Sequence, residues 1–260
     1  AKVIQKGRYL TPIDLGLIAS IGIPEVTVRR RLRVAVFSTG DELVEPGREL
    51  QDGQIYNSNR ISLLSLVRQV GYEPIDCGIV EDTLVATKTA LAAAAKQADV
   101  VISSGGVSVG EEDHVKPAIE TLGSLELWKV QMKPGKPVAY GRIEQTPFIG
   151  LPGNPVSSYI VFQLLALPLL AKLQGDERFL PRAYKVPSGF DKASVTREEY
   201  IRVRLIKSES GENSVERFSN LSSGVLSSLA WADGLVRQNI DKEISTGEPV
   251  EFLPFVRGVL

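Results

Sequence analysis

Short apolar runs alternate with segments of helical pattern from residue 33 to residue 175, and this alternation limits the fold more than any other feature. The predicted strands are 34–38, 74–80, 99–103, 125–130, 138–141 and 146–151. The predicted helices are 59–70, 83–97, 115–122 and a long one that starts at Pro155 and kinks at Pro168. Strands that alternate with helices at this spacing form a mostly parallel sheet with helices on both faces. Residues 31–175 are therefore predicted to form a three-layer α/β domain.

The sequence pattern changes after Gly175. Short alternating runs follow at 182–190, 200–206, 215–218, 234–237 and 249–252, separated by Gly, Ser, Asn and Asp. Such runs are typical of an antiparallel sheet or a small barrel. Residues 176–260 are therefore predicted to form a second, small all-β domain that resembles a β-barrel.

Residues 1–30 contain one helix signal and one strand signal. Thr11 is a favourable N-cap, Pro12 suits the first helical position, and Gly22 is placed to end the helix. Residues 23–28 have the composition of a strand. A segment this short cannot close a hydrophobic core alone, so we expect it to pack on a partner or on another part of a larger protein.

The composition excludes several classes of function. The net charge is −1 over 260 residues, so no overall field attracts nucleic acid or an anionic membrane, and we expect neither as a partner. The single cysteine, Cys77, rules out an internal disulfide framework and a cysteine-based zinc site. The apolar stretch 161–173 is predicted to be too short to span a membrane. No secretory signal is visible, and a cytoplasmic location is expected.

A glycine pair directly follows the predicted strand 99–103. The segment reads Ser-Ser-Gly-Gly-Val-Ser-Val-Gly at 103–110. Gly105 and Gly106 let the backbone turn tightly with no Cβ in the way of a ligand. The hydroxyls of Ser103, Ser104 and Ser108, with the free N–H groups of the turn, are suited to hold an anion such as phosphate. The alternative is a plain turn from strand to helix.

Acidic residues follow three of the predicted strands. Asp41 and Glu42 come after strand 34–38, Asp82 follows strand 74–80, and Asp113 lies beyond the glycine pair. Loops at the carboxyl ends of parallel strands share one edge of the sheet, so these carboxylates are expected to meet there. Oxygen ligands without sulfur or nitrogen favour Mg²⁺ over Zn²⁺. Alternatively, each residue is only a helix cap or a first-turn acid.

Cations and further turns complete the candidate site. Lys133 and Lys136 lie in a Lys-Pro-Gly-Lys-Pro turn, and Lys129 precedes it. Such lysines can hold a small anion as point charges. Another strand-to-helix turn covers 151–158, with Asn154 as the predicted cap, while Asn59 is the predicted cap of helix 59–70. The Walker and Gly-x-Gly-x-x-Gly patterns do not occur, which disfavours ordinary nucleotide hydrolysis and dinucleotide binding.

Five motifs in this order resemble those of the molybdopterin molybdenumtransferases. They are Ser-Thr-Gly-Asp-Glu-Leu at 38–43, Gly-Gln-Ile-Tyr-Asn-Ser-Asn at 53–59, the glycine-pair segment at 103–110, Lys-Pro-Gly-Lys-Pro at 133–137, and Leu-Pro-Gly-Asn-Pro-Val-Ser at 151–157. The resemblance runs from about residue 7 to residue 175 and continues more weakly to residue 255. Relative to that family, most of a longer N-terminal half is absent, so 1–30 is expected to be the remnant of an N-terminal domain.

The resemblance implies the last step of molybdenum cofactor synthesis. Members of this family insert molybdenum from molybdate into adenylylated molybdopterin and release AMP with the help of Mg²⁺, commonly as homodimers. By position, Glu42, Asp82 and Asp113 resemble the essential acidic residues around the pyrophosphate and the metal. The residues that the resemblance implies for substrate binding are Thr39, Gly40, Asp41, Ser104, Gly105, Gly106, Ser108, Lys129, Lys133, Lys136, Pro152, Gly153, Asn154, Pro155 and Ser157.

Two other functions stay open at this point. The α/β domain also resembles the molybdopterin adenylyltransferases, which carry out the preceding step on the same pterin. A non-catalytic role in pterin binding or scaffolding is the other alternative, because the eukaryotic relative gephyrin uses this region to scaffold receptors. The Pro-Gly-Lys-Pro turn and the predicted β domain favour the molybdenumtransferase.

Overall fold

The computed structural model describes residues 2–107, 113–176, 180–207, 211 and 213–256. The helices are α1 (Pro12–Ser20), α2 (Ser58–Gln69), α3 (Leu84–Gln97), α4 (Val115–Leu122), α5 (Pro155–Val161), α6 (Leu167–Gln174) and α7 (Ser227–Trp231), and a π-helical turn (Phe162–Ala166) joins α5 to α6. The strands are β1 (Arg33–Thr39), β2 (Leu43–Val44), β3 (Ile55–Tyr56), β4 (Glu73–Val80), β5 (Val100–Ser104), β6 (Gly123–Trp128), β7 (Met132–Lys133), β8 (Ala139–Ile143), β9 (Thr146–Leu151), β10 (Tyr184–Pro187), β11 (Glu198–Lys207), β12 (Asn213–Arg217), β13 (Gly234–Gln238) and β14 (Pro249–Pro254).

The first large sheet has six strands in the order β4-β1-β5-β9-β8-β6. β4, β1, β5 and β9 are parallel to one another, and β8 is antiparallel to both of its neighbours. The β8–β9 pairing is antiparallel because the connection is a tight turn, whereas a parallel pair needs a longer crossover. The predicted mostly parallel sheet is confirmed.

Helices cover both faces of this sheet. Val34 and Val36 of β1 lie in a core shared with α2, α5 and α6, whereas Ala35 and Phe37 lie in a core shared with α3 and α4. Both sets are fully buried, which is the pattern of a central parallel strand with no solvent-facing side. The predicted three-layer α/β arrangement is therefore confirmed.

A second sheet, in the order β10-β14-β13-β11-β12, forms the C-terminal β domain that the sequence predicted. A single bridge between Ser188 and Val215 links its two outer strands, which gives the barrel-like closure. The domain also contains the short helix α7, which was not predicted. Met132, Ala232 and Leu235 belong to the core formed by α2, α5 and α6, so the two domains share buried apolar surface.

The N-terminal segment matches one expectation and not the other. Thr11 caps α1 and forms a capping box with Asp14, and Pro12 is the first helical residue. The predicted strand at 23–28 is wrong, because these residues pair with no strand in the part of the chain that is described. Without a neighbouring edge to supply hydrogen bonds, an extended segment does not become a strand.

The helical stretch from residue 155 to residue 174 is the longest in the protein as described. Its 20 residues are long and apolar enough to cross a membrane by length and composition alone, which corrects the prediction that the apolar stretch is too short. However, 61% of its most apolar window is buried inside the protein, as in the core helix of a folded domain. The π-helical turn lies just before Pro168, where the missing proline N–H leaves room for an irregular turn.

Candidate functional site

Five strands end at one edge of the six-stranded sheet. Thr39 lies beside Val80, and Ser104 lies beside Leu151, so β4, β1, β5 and β9 end together. β6 ends there too, because β8 is antiparallel to both β9 and β6, and Trp128 is paired with Ala139. The segments that follow these strand ends are called the rim, and they comprise 40–42, 81–82, 105–106, 129–136 and 152–154. At about 4.8 Å per strand, the rim extends for about 24 Å.

The glycine pair lies at the centre of the rim, where the backbones approach closely. Gly105 and Gly106 have φ values of +91° and +67°. A Cβ on Gly105 would lie 2.5 Å from the carbonyl oxygen of Thr39, and one on Gly106 would lie 2.4 Å from Cγ2 of Val115. Both the left-handed backbone and the close approach require glycine.

The glycine pair presents fewer free groups than the sequence predicted. The N–H of Gly105 donates to the carbonyl of Leu151 at 3.0 Å, so this amide is not available to an anion. Ser103 is fully buried, and its hydroxyl lies in the core rather than toward a ligand, without a partner among the described residues. Both points correct the predicted anion cradle. Ser108 lies outside the described residues.

Asn59 connects two segments of the rim, a role that the sequence did not reveal. Its Nδ2 donates to Oγ of Ser104 at 2.9 Å and to the carbonyl oxygen of Gly153 at 2.7 Å. The predicted helix cap at Asn59 is wrong, because Asn57 caps α2 by accepting from the N–H of Arg60. Asn59 is therefore the second residue of α2 rather than its cap, and it fixes the spacing between the strand ends of β5 and β9.

The acidic residues gather at the β4–β1 end of the rim. Oγ1 of Thr39 donates to Oδ1 of Asp82 at 3.1 Å, and the N–H of Asp82 lies 3.3 Å from Oδ1 of Asp41. The carboxylate of Glu42 folds back over Gly40, since a Cβ on Gly40 would lie 2.6 Å from Oε2 of Glu42. The structure thus places Asp41 beside Asp82, as predicted from their positions after neighbouring strands, and Glu42 lies in the same loop as Asp41.

Asp113 lies just before α4, near the rim. It lies two residues before Val115, the residue that packs against Gly106. Asp113 is partly buried. This position is next to the glycine pair and toward the middle of the sheet.

Glu42, Asp82 and Asp113 are the predicted ligands of a Mg²⁺ ion. Within 2–107, 113–176, 180–207, 211 and 213–256, no group of three His, Cys, Asp or Glu residues is arranged to hold a metal ion. Mg²⁺ is commonly bound by one or two carboxylates, several waters and the phosphates of a substrate. Asp41 and Asp82 suit that kind of site, in which a phosphate completes the coordination. The Mg²⁺ cofactor stays a prediction.

The lysines lie at the opposite end of the rim from the carboxylates. Lys129 directly follows β6 with a φ of +70°, and its N–H donates to the carbonyl of Val138 at 2.8 Å. Lys136 is exposed. The turn between them packs on α5, because a Cβ on Gly135 would lie 2.5 Å from Cγ2 of Val161.

Lys133 has a partner in the β domain. β7 pairs with β11, which places Lys133 beside Glu199, and Nζ of Lys133 lies 3.3 Å from Oε1 of Glu199. Glu199 also accepts from Nζ of Lys192 at 2.9 Å. Burial raises the pKa of Glu199, but the hydrogen bond and charge of Lys192 and the charge of Lys133 outweigh it, so the pKa is lowered overall. No local pattern in the sequence predicts this contact, because it depends on how the domains meet.

The turn after β9 is partly buried by the β domain. Gly153 and Asn154 are exposed, whereas Pro152 and Ser157 are buried and Pro155 is half-buried. Asn154 precedes α5 as predicted, but its side chain makes no capping hydrogen bond. The N–H of Val156 donates to the carbonyl of Ser223 at 3.1 Å, so a loop of the β domain occupies this helix start. The substrate roles of these residues stay predictions.

Two family models match the chain, one for each domain. Residues 35–172 match the "Probable molybdopterin binding domain", and residues 185–255 match the "MoeA C-terminal region (domain IV)". The first match contains all the segments of the rim.

Curated relatives and a solved structure agree with these matches. The chain is 41% identical to a molybdopterin molybdenumtransferase of Haemophilus influenzae, over 97% of this chain and 63% of the relative, and 43% identical to one of Nostoc sp., over 67% and 41%. The chain thus spans less than two thirds of the length of either relative. A crystal structure of a molybdopterin biosynthesis MoeA protein from Pyrococcus horikosii matches with a TM-score of 0.81 and 33% identity, over 98% of this chain and 62% of that one. This chain therefore belongs to the molybdopterin-binding family, in the two-domain combination of the molybdopterin molybdenumtransferases.

Proposed function

We propose that this chain carries the core of a molybdopterin molybdenumtransferase, which inserts molybdenum from molybdate into adenylylated molybdopterin and releases AMP. The observation that carries the proposal is the rim itself, where carboxylates and lysines lie at opposite ends of one row of strand ends. An elongated ligand with a pyrophosphate and a pterin needs both kinds of group along one rim.

The two ends of the rim are suited to different parts of the reaction. Asp82 is oriented by Thr39 and lies beside Asp41, so these carboxylates suit a hard cation that shields the pyrophosphate. Mg²⁺, when bound there, supplies positive charge that stabilises the leaving AMP. Lys129 and Lys133 at the other end attract oxyanions, whether of the ligand phosphate or of molybdate.

The glycine pair and the Asn59 bridge hold the loops of the rim in place. Gly105 allows the backbone of β5 to pass within contact distance of Thr39, and Asn59 ties Ser104 to Gly153. Because these loops already hold one arrangement, less entropy is lost when the reacting groups are positioned for the transition state. The proposed assignment includes a homodimer and a cytoplasmic location, in line with the named function of the relatives.

The adenylyltransferase is the second candidate. It shares the α/β domain but offers no reason for a β domain packed on α5 and paired with the turn at residue 133. The match of residues 185–255 to the MoeA C-terminal region supports the molybdenumtransferase over this alternative. No observation on the described residues favours the scaffolding role.

The test is AMP release from adenylylated molybdopterin with Mg²⁺ present, with and without molybdate. Asp82→Asn keeps the size of the side chain and removes its charge, so we expect molybdate-dependent release to fall at least about 100-fold, a typical loss for a group that stabilises the transition state. Glu144→Gln is the matched control, because Glu144 is exposed in the β8–β9 turn at the opposite edge of the sheet. Undiminished release by Asp82→Asn would remove Asp82 from the site, and release of pyrophosphate from ATP and molybdopterin would favour the adenylyltransferase.

A further inference from the structure

Lys133, Glu199 and Lys192 form a charge cluster at the junction of the two domains. Glu199 is 5% exposed at its side chain and lies within 3.3 Å of Lys133 and 2.9 Å of Lys192. The carboxylate is therefore shared by two ammonium groups, and the charge of Arg202 also acts on it. The cluster of the two lysines and Glu199 has a net charge of +1.

The two lysines of this cluster differ in exposure. The side chain of Lys192 is 14% exposed, whereas that of Lys133 is 51% exposed. Lys192 also keeps the shorter distance to Glu199, with a well-formed hydrogen bond. Lys192 thus belongs to the interior of the cluster, and Lys133 lies on its outer side at the rim.

We propose that Glu199 is a positioning residue that holds Lys133 toward the rim, and that Lys192 is the counter-charge that lets Lys133 leave Glu199 for an oxyanion of the ligand. A buried carboxylate that lost its only cation would be strongly destabilised, so a lone Lys133–Glu199 pair would resist opening. Because Lys192 stays on Glu199, Lys133 can turn to an anion without leaving a bare buried charge. The β domain, through Glu199 and Lys192, is in this way part of the anion-binding end of the rim.

This inference rests on the proposed function, since it takes the ligand to be anionic where Lys133 emerges. It adds a positioning role for two residues of the β domain that the sequence did not single out. The contact itself is set by β7, which pairs with β11 at the register that puts Lys133 beside Glu199.

The first experiment measures binding of adenylylated molybdopterin without molybdate. Lys192→Met should bind about tenfold more weakly, because Lys133 becomes the only lysine that pairs with Glu199, and a charged hydrogen bond contributes at least this much. The double variant Lys192→Met with Glu199→Gln should bind within about threefold of the unmodified protein, because it again has one uncommitted lysine. Lys192→Arg should restore binding.

Lys185→Met is the matched control. Lys185 is 65% exposed and pairs with Glu251 at 3.6 Å in the same β domain, so its loss should leave binding unchanged. Thermal unfolding of each variant separates lost binding from lost folding. A merely structural role predicts that the double variant is worse than either single one, so this result, or Lys192→Met binding normally, would overturn the inference.

A second measurement needs no ligand. Acetylation of Lys133 by acetic anhydride, followed by mass spectrometry, reports how freely its amine leaves Glu199. We expect slower acetylation in Lys192→Met and faster acetylation in Glu199→Gln than in the unmodified protein. If the unmodified protein fails to bind adenylylated molybdopterin, the proposed function fails, while acetylation still decides the charge cluster. Equal acetylation rates in all variants would overturn the inference.

Discussion

Replacing Gly105 by alanine tests whether the close approach of two backbones at the rim is what requires glycine there. Gly105 has a φ of +91°, and the added Cβ would lie 2.5 Å from the carbonyl oxygen of Thr39. Gly53→Ala is the matched control, because Gly53 has a φ of +83° but nothing within 4 Å of the added Cβ. Both substitutions place a Cβ on a left-handed backbone, but only Gly105→Ala also brings that Cβ into contact with Thr39.

The magnitudes follow from these two terms. A left-handed backbone costs a residue with a Cβ about 1–2 kcal/mol, and part of this is offset by the lower entropy of the unfolded chain. Gly53→Ala should therefore lower the free energy of unfolding by about 1 kcal/mol. Gly105→Ala adds the displacement of a backbone carbonyl, and overpacking of this kind costs about 1–3 kcal/mol more. A total loss of about 3 kcal/mol is expected.

Urea unfolding followed by tryptophan fluorescence gives both free energies under the same conditions. Because displacement of Thr39 also disturbs its hydrogen bond to Asp82, Gly105→Ala should in addition weaken binding of adenylylated molybdopterin, whereas Gly53→Ala should not. If the two variants lose the same free energy of unfolding, the close approach at Gly105 is not what destabilises the protein, and the explanation of the glycine pair is wrong.

Three further expectations concern other parts of the protein. Asn59→Ala removes the two hydrogen bonds that join Ser104 to Gly153, so it should lower the free energy of unfolding by about 1–3 kcal/mol and weaken ligand binding; unchanged binding would mean that the bridge does not shape the rim. The pKa of Asp14 is lowered to about 2, mainly by the hydrogen bond from the N–H of Thr11 and next by the one from Arg8. The stabilisation of α1 by Asp14 should therefore be complete above about pH 4 and lost as the pH falls toward 2. An NMR titration of the Asp14 carboxyl carbon with a midpoint near 4 would contradict this. Chelation by EDTA should stop AMP release without changing the unfolding midpoint of the ligand-free protein, since the described chain holds no ready-made metal cluster; a lower midpoint would indicate a structural metal.

The sequence alone determined the layers of the fold and the general place of the site. Fully apolar runs such as 34–37, separated by helical patterns, can only be buried on both sides, and this requires helices on both faces of a parallel sheet. Because parallel strands end at one edge, Asp41 or Glu42 was expected to meet Asp82 and Asp113 there. The structure places Asp41 beside Asp82. Thr11 and Pro12 likewise set the start of α1 through local chemistry.

The tertiary structure decided which of several equivalent local signals is used. Asn57 and Asn59 are both good helix caps, and the helix begins after Asn57, whose Oδ1 also accepts from Oγ of Ser38 in β1. Residues 23–28 have strand composition, but strand formation needs a neighbouring edge that the local sequence does not specify. The alternatives differ in local propensity by only about 1 kcal/mol or less, so tertiary packing decides between them.

Contacts between distant segments were likewise beyond the sequence. Lys133 lies beside Glu199 only because β7 pairs with β11 at one register. Lys129 lies at the rim because β8 is antiparallel to both β6 and β9, so that β6 ends at the same edge as β9. Periodicity and capping report what each segment does within a few residues of itself. The partner of a buried charge depends on the complete fold, because an unpaired charge costs free energy only once the surrounding core has removed it from water.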